Sequence, residues 1–154
     1  MSEKARGGLF SALGDIEGLV VLDAFAGSGA LSFEAISRGA ENAVAIDIDK
    51  SAINTVVNSA HKLGIQDKVK AIRANASGWS DNNPEVQFDL VFACPPYDNL
   101  QPKLLNKLTK HLKSGGIYVL DWPKNEPLLD LTGLEMVKRK DYGDAQLVFY
   151  RKIR

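Results

Sequence analysis

Residues 19–23 (L-V-V-L-D) form an apolar run that closes on an acid; comparable apolar runs recur at 43–47 (A-V-A-I-D), 89–93 (D-L-V-F-A) and 117–121 (I-Y-V-L-D), with a weaker one at 69–74. A strand with one wet face alternates polar and apolar residues. A strand that is apolar throughout has to be covered on both faces. Segments of helical period separate the runs. Ile53, Val56, Val57, Ala60 and Leu63 recur at three- and four-residue steps and so share a helix face, as do Leu104, Leu105, Leu108 and Leu112. Gly64 is placed as a helix stop, and Ser114-Gly115-Gly116 as a turn into the fifth run. Such alternation implies parallel strands joined by right-handed crossovers, with helices on both faces of one sheet. The C-terminal end breaks the pattern. Residues 134–140 and 145–151 are separated only by D-Y-G-D, which predicts an antiparallel hairpin at the sheet edge. The expected fold class is therefore α/β: a doubly wound, seven-stranded, mostly parallel sandwich with a C-terminal antiparallel hairpin, formed by residues 1–154 as one domain.

Composition narrows what such a sheet serves. Of 154 residues, 45% are hydrophobic and 25% charged, which is globular composition. Nineteen basic and nineteen acidic residues cancel, which argues against holding nucleic acid by bulk charge alone. A local patch is still available in Lys138-Arg139-Lys140 with Arg151, Lys152 and Arg154, whose alternative reading is a solvated strand edge. The single cysteine, Cys94, excludes an intramolecular disulfide and a Cys-rich zinc site; no metal is expected. No apolar run approaches the roughly 18–20 residues of a membrane span. The start, M-S-E-K-A-R-G-G, lacks the apolar centre of a signal peptide. A cytoplasmic protein without a membrane partner is expected.

The first run leads into D-A-F-A-G-S-G-A-L-S. Glycines at 27 and 29 allow a tight turn and let backbone N–H groups approach a ligand with no Cβ in the way. With a strand before, a helix after and an acid, Asp47, closing the next strand, the turn reads as a nucleoside site. G-S-G-A-L-S also approximates a dinucleotide fingerprint, with Ser32 last. Charge favours a different ligand. Asp23 would repel a pyrophosphate, whereas S-adenosylmethionine has no phosphate and carries a sulfonium and an ammonium. Asp47 is then placed to accept from ribose hydroxyls and Asn75 to meet the adenine edge. Asp49 reads as a helix N-cap.

The fourth run leads into C-P-P-Y at 94–97. Consecutive prolines hold an extended backbone and leave carbonyls without a competing N–H. Acceptors at 94 and 95 can orient an exocyclic amine so that its lone pair points at a methyl group, while Tyr97 stacks on the flat ring. The amine is a poor nucleophile while its lone pair is delocalised, so positioning is the main catalytic device. Cys94 as a covalent nucleophile is the less favoured alternative, because P-P-Y already accounts for the site. His61, His111, Trp79 and Trp122 read as surface or packing residues, with Trp79 in a loop.

The pairing of D-A-F-A-G-S-G-A with P-P-Y resembles the amino-group methyltransferases that use S-adenosylmethionine. K-A-R-G-G-L-F-S-A-L-G, S-R-G-A at 37–40 and V-F-Y-R-K near the end further resemble the bacterial guanine-N2 methyltransferases of small-subunit ribosomal RNA. The resemblance covers nearly the whole chain. It implies a Rossmann-like methyltransferase sandwich, S-adenosylmethionine as cofactor, and ribosomal RNA or a small-subunit assembly particle as partner, with the protein a monomer. It assigns Asp23, Phe25, Gly27 and Gly29 to the cofactor loop, Asp47 to the ribose and Asn75 to the adenine. Cys94, Pro95, Pro96 and Tyr97 fall on the catalytic motif, Asp/Asn-Pro-Pro-Tyr/Phe. Three departures accompany it. Cys94 stands where the family has Asp or Asn, and a thiol is a weak acceptor. Losing one charge-assisted hydrogen bond, roughly 1.5–3 kcal/mol, slows a step about ten- to a hundred-fold. Gly7 replaces the Glu of an early Arg-x-Arg-Glu pattern, of which Lys4 and Arg6 keep the basic pair. The family's upstream hairpin, linked to RNA binding, is not in this chain, which is expected to begin inside the following helix. The alternatives are a non-catalytic S-adenosylmethionine-binding module and a methyltransferase acting on an adenine N6 amine or a protein glutamine.

Overall fold

The computed structural model describes residues 1–153. Helix α1 (Glu3–Leu13) precedes the alternation β1 (Val20–Asp23), α2 (Ala30–Ser37), β2 (Asn42–Asp47), α3 (Lys50–Lys62), β3 (Val69–Arg73), α4 (Ala76–Asn82), β4 (Phe88–Ala93) and α5 (Pro102–Lys107). A 3₁₀ turn (Leu108–His111) leads into β5 (Leu112–Pro123), and β6 (Leu134–Tyr142) and β7 (Ala145–Lys152) complete one seven-stranded sheet of order β3-β2-β1-β4-β5-β7-β6. Strands β1 to β5 run parallel, and β7 lies antiparallel between β5 and β6. The order reverses direction between β1 and β4. Loops leaving the carboxyl ends of those two strands diverge there and open a crevice, the usual binding place in an open α/β sheet.

The two-sided burial read from the strands is what the packing shows for β1, β4 and the end of β5, whereas the edge strand β3 exposes Lys70 and Arg73. Val21, Leu90, Phe92 and Val119 face one way, onto Leu9, Phe10 and Leu31 from α1 and α2. Leu22, Val91, Ala93 and Leu120 face the other, onto Trp79, Leu105 and Leu108. Phe10 meets Phe92 edge to face with ring centroids 5.8 Å apart, a geometry that adds to simple burial. Helix α3 buries Ile53, Val56 and Ala60.

Several expectations are corrected. Val57 is 40% and Leu63 62% exposed, because α3 lies at one flank of the sheet and needs only a narrow apolar stripe. The leucine period through 104–112 is not one helix: α5 stops at Lys107, the 3₁₀ turn carries Leu108, and Leu112 already belongs to β5. All three kinds of backbone bury a leucine at those steps, so periodicity alone could not separate them. Ser114-Gly115-Gly116 is an irregularity within β5, not a turn before it. Across it, Phe88 pairs with Leu112 while Leu90 pairs with Ile117. Gly115 takes φ +78°, and a Cβ on Gly116 would lie 2.8 Å from the Asp89 carbonyl oxygen. Trp79 sits in α4 rather than a loop, and His111 is fully buried, its ring bonded to Ser80 Oγ and the Val86 carbonyl at 2.7 Å each. The first turn of helix α1 is closed by Ser2 Oγ accepting from the Ala5 N–H. No helix among the described residues is long and apolar enough to cross a membrane.

Candidate active site

Three loops build the site at the reversal of strand order. The first runs from Asp23 to the start of α2. Gly27 and Gly29 take φ +55° and +87°, the left-handed region that side chains avoid. A Cβ on Gly29 would also lie 2.9 Å from the Phe33 ring and 3.1 Å from Val56. One on Gly27 would meet no protein atom within 4 Å, so it would occupy open space where a ligand can lie. The second loop begins with Asp47 at the end of β2. Its Oδ2 accepts from the Gly27 N–H at 2.8 Å and its Oδ1 from the Asp49 N–H at 2.9 Å. A carboxylate has about four acceptor sites, so Asp47 pins the glycine turn and keeps capacity for further donors. Asp49 in turn caps α3, accepting from the Ser51 N–H.

Asp23 is not part of the cleft wall. It is 1% exposed beneath the turn, its Oδ2 accepting from Ser32 Oγ at 2.8 Å, and its Oδ1 is buried with no hydrogen-bond partner among the described residues. Burial pushes its carboxyl up to about 6, against the opposing bonds from Ser32 and with a smaller contribution from the charge of Asp47. The last residue of β1 turns toward α2 rather than upward, and Ser32 receives it. An acid held there acts on a ligand through its field and through the shape of the turn.

Two clefts adjoin across this framework and share Phe25, Gly27, Cys94 and Pro96 in their walls. The smaller, about 510 Å³, is lined by Asp47, Ile48, Asn75, Gln101 and Leu104 besides the shared residues. Ile48 is 67% exposed and offers an apolar shelf beside an acid, which suits a nucleoside. Asn75 is on this wall while its Oδ1 caps α4 by accepting from the Ser77 N–H at 2.9 Å. The larger cleft, about 640 Å³, is lined by Cys94, Pro95, Tyr97, Asp121 and residues of α1 and the hairpin, Arg6 and Tyr142 among them.

The third loop is C-P-P-Y. Burial first, then the charges of Asp121 and Asp23, push the Cys94 thiol well up, with the Asp121 N–H opposing. A thiol so held stays protonated at neutral pH, which weighs against a covalent nucleophile. Tyr97 is 43% exposed and its hydroxyl donates to Asp121 Oδ1 at 2.5 Å. Burial and that carboxylate raise the phenol far above its usual range. Burial also raises Asp121, which the Tyr97 hydrogen bond partly offsets. Asp121 was not singled out as a site residue from sequence, nor was Ile48. The available signal for Asp121 was its place as the acid closing an apolar run, the same place that Asp23 and Asp47 hold.

The donor set discriminates between ligands. Asp47, Asp121 and Asp144 line the two clefts, with Arg6 the one basic side chain among the lining residues. Such walls favour a ligand with positive charge and no phosphate, and the residues present fit S-adenosylmethionine. Away from the clefts, Lys138, Arg139 and Lys140 are exposed along β6 and Arg151 on β7, while the Lys152 ammonium donates to the Thr109 carbonyl at 3.1 Å. Arg154 lies outside the described residues.

Comparison with known proteins agrees with this architecture. The family described as conserved hypothetical protein 95 matches residues 1–151. The ribosomal RNA small subunit methyltransferase D of Buchnera aphidicola from Acyrthosiphon pisum is 30% identical over 132 residues, 84% of this chain and 69% of that protein. A methylase of Rickettsia prowazekii is 30% identical over a gapped alignment of 181 positions that covers 88% of this chain and 77% of that protein. Among solved structures, a methylase from Haemophilus influenzae superposes with a TM-score of 0.82 at 27% identity, over 99% of this chain and 98% of that one. The chain thus belongs to the conserved hypothetical protein 95 family, the family of the ribosomal RNA small subunit methyltransferases D, and is an S-adenosylmethionine-dependent methyltransferase.

Proposed function

We propose that this enzyme methylates the exocyclic N2 amine of a guanine in small-subunit ribosomal RNA, free or within an assembly particle. The observation that carries the reading is the shared wall of the two clefts. It sets C-P-P-Y directly against the glycine turn, so an amine in the larger cleft would face a methyl donor lying across the turn. The relatives named for small-subunit ribosomal RNA supply the substrate class. When bound, S-adenosylmethionine supplies a methyl group on a sulfonium that departs as a neutral thioether.

The chain's own residues then have distinct tasks. Asp47 accepts from the ribose hydroxyls, Asn75 and Ile48 meet the adenine, and Phe25 separates the nucleoside from the reacting end. Gly27 and Gly29 admit the methionine portion, whose ammonium is favoured by the field of Asp23. The Pro95 carbonyl accepts from the acceptor amine, and Tyr97 stacks on the base. Purified protein incubated with S-adenosyl-[methyl-³H]methionine and either deproteinised small-subunit RNA or assembly particles is expected to yield N2-methylguanine on mass analysis. Tyr97→Ala is expected to lower incorporation about ten-fold or more, since base–aromatic stacking contributes about 1–3 kcal/mol, while calorimetric binding of S-adenosylhomocysteine persists. A methylated adenine or glutamine would replace the guanine assignment. Bound cofactor without incorporation into either substrate would favour the non-catalytic module.

A further inference from the structure

The acid that the family motif carries at its first position is missing at Cys94, yet the cleft at that point is not without a carboxylate. The β4–β5 ladder ends with Ala93 opposite Leu120. The next residues of these parallel strands are Cys94, just beyond the end of β4, and Asp121, still within β5 and paired with Leu147 of β7; they therefore lie side by side, about one strand spacing, ~4.8 Å, apart. Asp121 is 9% exposed and lines the larger cleft together with Cys94, Pro95, Pro96 and Tyr97. Tyr97 donates to its Oδ1; its Oδ2 has no partner among the described residues. A carboxylate so enclosed and still short of donors is a strong acceptor for an N–H group placed in the same cleft.

We infer that Asp121 is the catalytic acceptor for the amine, taking from the neighbouring strand the part that the motif's first residue plays elsewhere. The inference rests on the base-amine reading above and names the group that recognises that amine. Asp121 Oδ2 accepts one amine hydrogen and the Pro95 carbonyl the other, which turns the nitrogen lone pair toward the methyl group. As the N–C bond forms, the C–S bond breaks and its electron pair returns to sulfur. The nitrogen, now cationic, releases one proton to Asp121, which passes it to solvent. Burial that raises the carboxyl above the ordinary aspartate range makes it a better proton acceptor than a surface aspartate. The hydrogen bond from Tyr97 gives the same residue a second task, since it fixes the ring on which the base stacks. The thiol at 94 then carries no penalty of its own, because the acceptor has moved and has not been lost.

The test compares two short single-stranded RNAs in the presence of saturating S-adenosylhomocysteine. One contains 2-aminopurine, which presents the N2 amine; the other contains purine at that position and lacks it. Affinity is read for both RNAs from the anisotropy of the same fluorescent label at the RNA 5′ end. Wild-type protein is expected to prefer the 2-aminopurine RNA about ten-fold, the ratio that one charge-assisted hydrogen bond of about 1.5 kcal/mol provides. Asp121→Ala is expected to abolish the preference and Asp121→Asn, which keeps an uncharged acceptor, to narrow it to a few-fold. Adding Cys94→Asp to Asp121→Ala is expected to restore it by returning the carboxylate to the neighbouring strand. Calorimetry with S-adenosylhomocysteine establishes that each variant is folded. Equal affinity of the wild type for both RNAs, or a preference that survives Asp121→Ala, overturns the assignment of Asp121 alone. Failure of the wild type to bind either RNA overturns it together with the guanine reading.

Discussion

Asp23 shows how one buried atom ties stability to ligand charge. Its carboxyl titrates at the ordinary 3.8 in the unfolded chain and near 6 in the folded one, chiefly through burial. Between those values the folded protein holds the proton more tightly than the unfolded chain, so stability falls as pH rises through the window. Two pKa units correspond to about 3 kcal/mol as an upper figure. Asp23→Asn keeps the shape and removes the ionisation. Thermal unfolding should show the variant gaining on the wild type between pH 4 and 7, with the wild type's decline through that range absent. Identical pH profiles would remove the argument. The same substitution is expected to weaken S-adenosylmethionine binding at pH 7, because the unpaired charge under the turn is lost. At this scale the sequence marked Asp23, Asp47 and Asp49 correctly as strand-end acids and a cap. It could not tell that Asp23 points beneath the turn, because that direction depends on Ser32 and on how α2 packs.

At the scale of elements, the glycine turn was the most legible part. Three residues join β1 to G-S-G and the helix follows at once, with α2 beginning at Ala30 as expected. Gly29 carries the tightest constraint. Gly29→Ala should lower stability by about 1–2 kcal/mol for the left-handed backbone alone, with the contacts to Phe33 and Val56 adding to it. A fall of several degrees in Tm and a loss of S-adenosylhomocysteine binding are expected; an unchanged Tm would show that the turn reshapes freely. Helix α4 was not foreseen. A-S-G-W-S-D-N has little helix propensity, and the segment is held instead by the Asn75 cap, by Trp79 packed near Phe88 and His111, and by Lys107 reaching Ser77 Oγ at 2.8 Å and Asp81. The leucines of 104–112 failed as a guide for a related reason. A buried position every three or four residues is compatible with α-helix, a 3₁₀ turn and the first residue of a strand, and only hydrogen bonding tells them apart.

Over the whole molecule, the reversal of strand order decides where ligands go, and the hairpin decides what surrounds them. Tyr142 reaches from β6 over α1 so closely that a Cβ on Gly8 would overlap its hydroxyl, and it closes one side of the larger cleft. Lys138, Arg139 and Lys140 lie exposed on the same edge strand. If that edge tracks an RNA backbone, replacing all three by alanine should reduce the slope of log K against log salt by about 2, at roughly 0.7 per single-strand phosphate contact. An unchanged slope would return the strand to the role of a charged edge that resists strand addition. Balanced composition, with nineteen charges of each sign, is no obstacle to such binding, because three consecutive cations on one exposed edge concentrate positive charge locally whatever the total.

What the sequence by itself determined is what depends on neighbours along the chain. Two-sided apolar runs require a covered parallel sheet, glycines at 27 and 29 require a left-handed turn, and two prolines require a rigid strand exit. Only the tertiary structure decided what depends on strands adjacent in the sheet but distant in sequence. It set Asp121 beside Cys94 across twenty-seven positions of chain, gave Asp121 to Tyr97, and placed Asp47 where it pins Gly27. Those pairings follow from register and strand order, which arise from the packing of the whole sheet and leave no local mark at either residue.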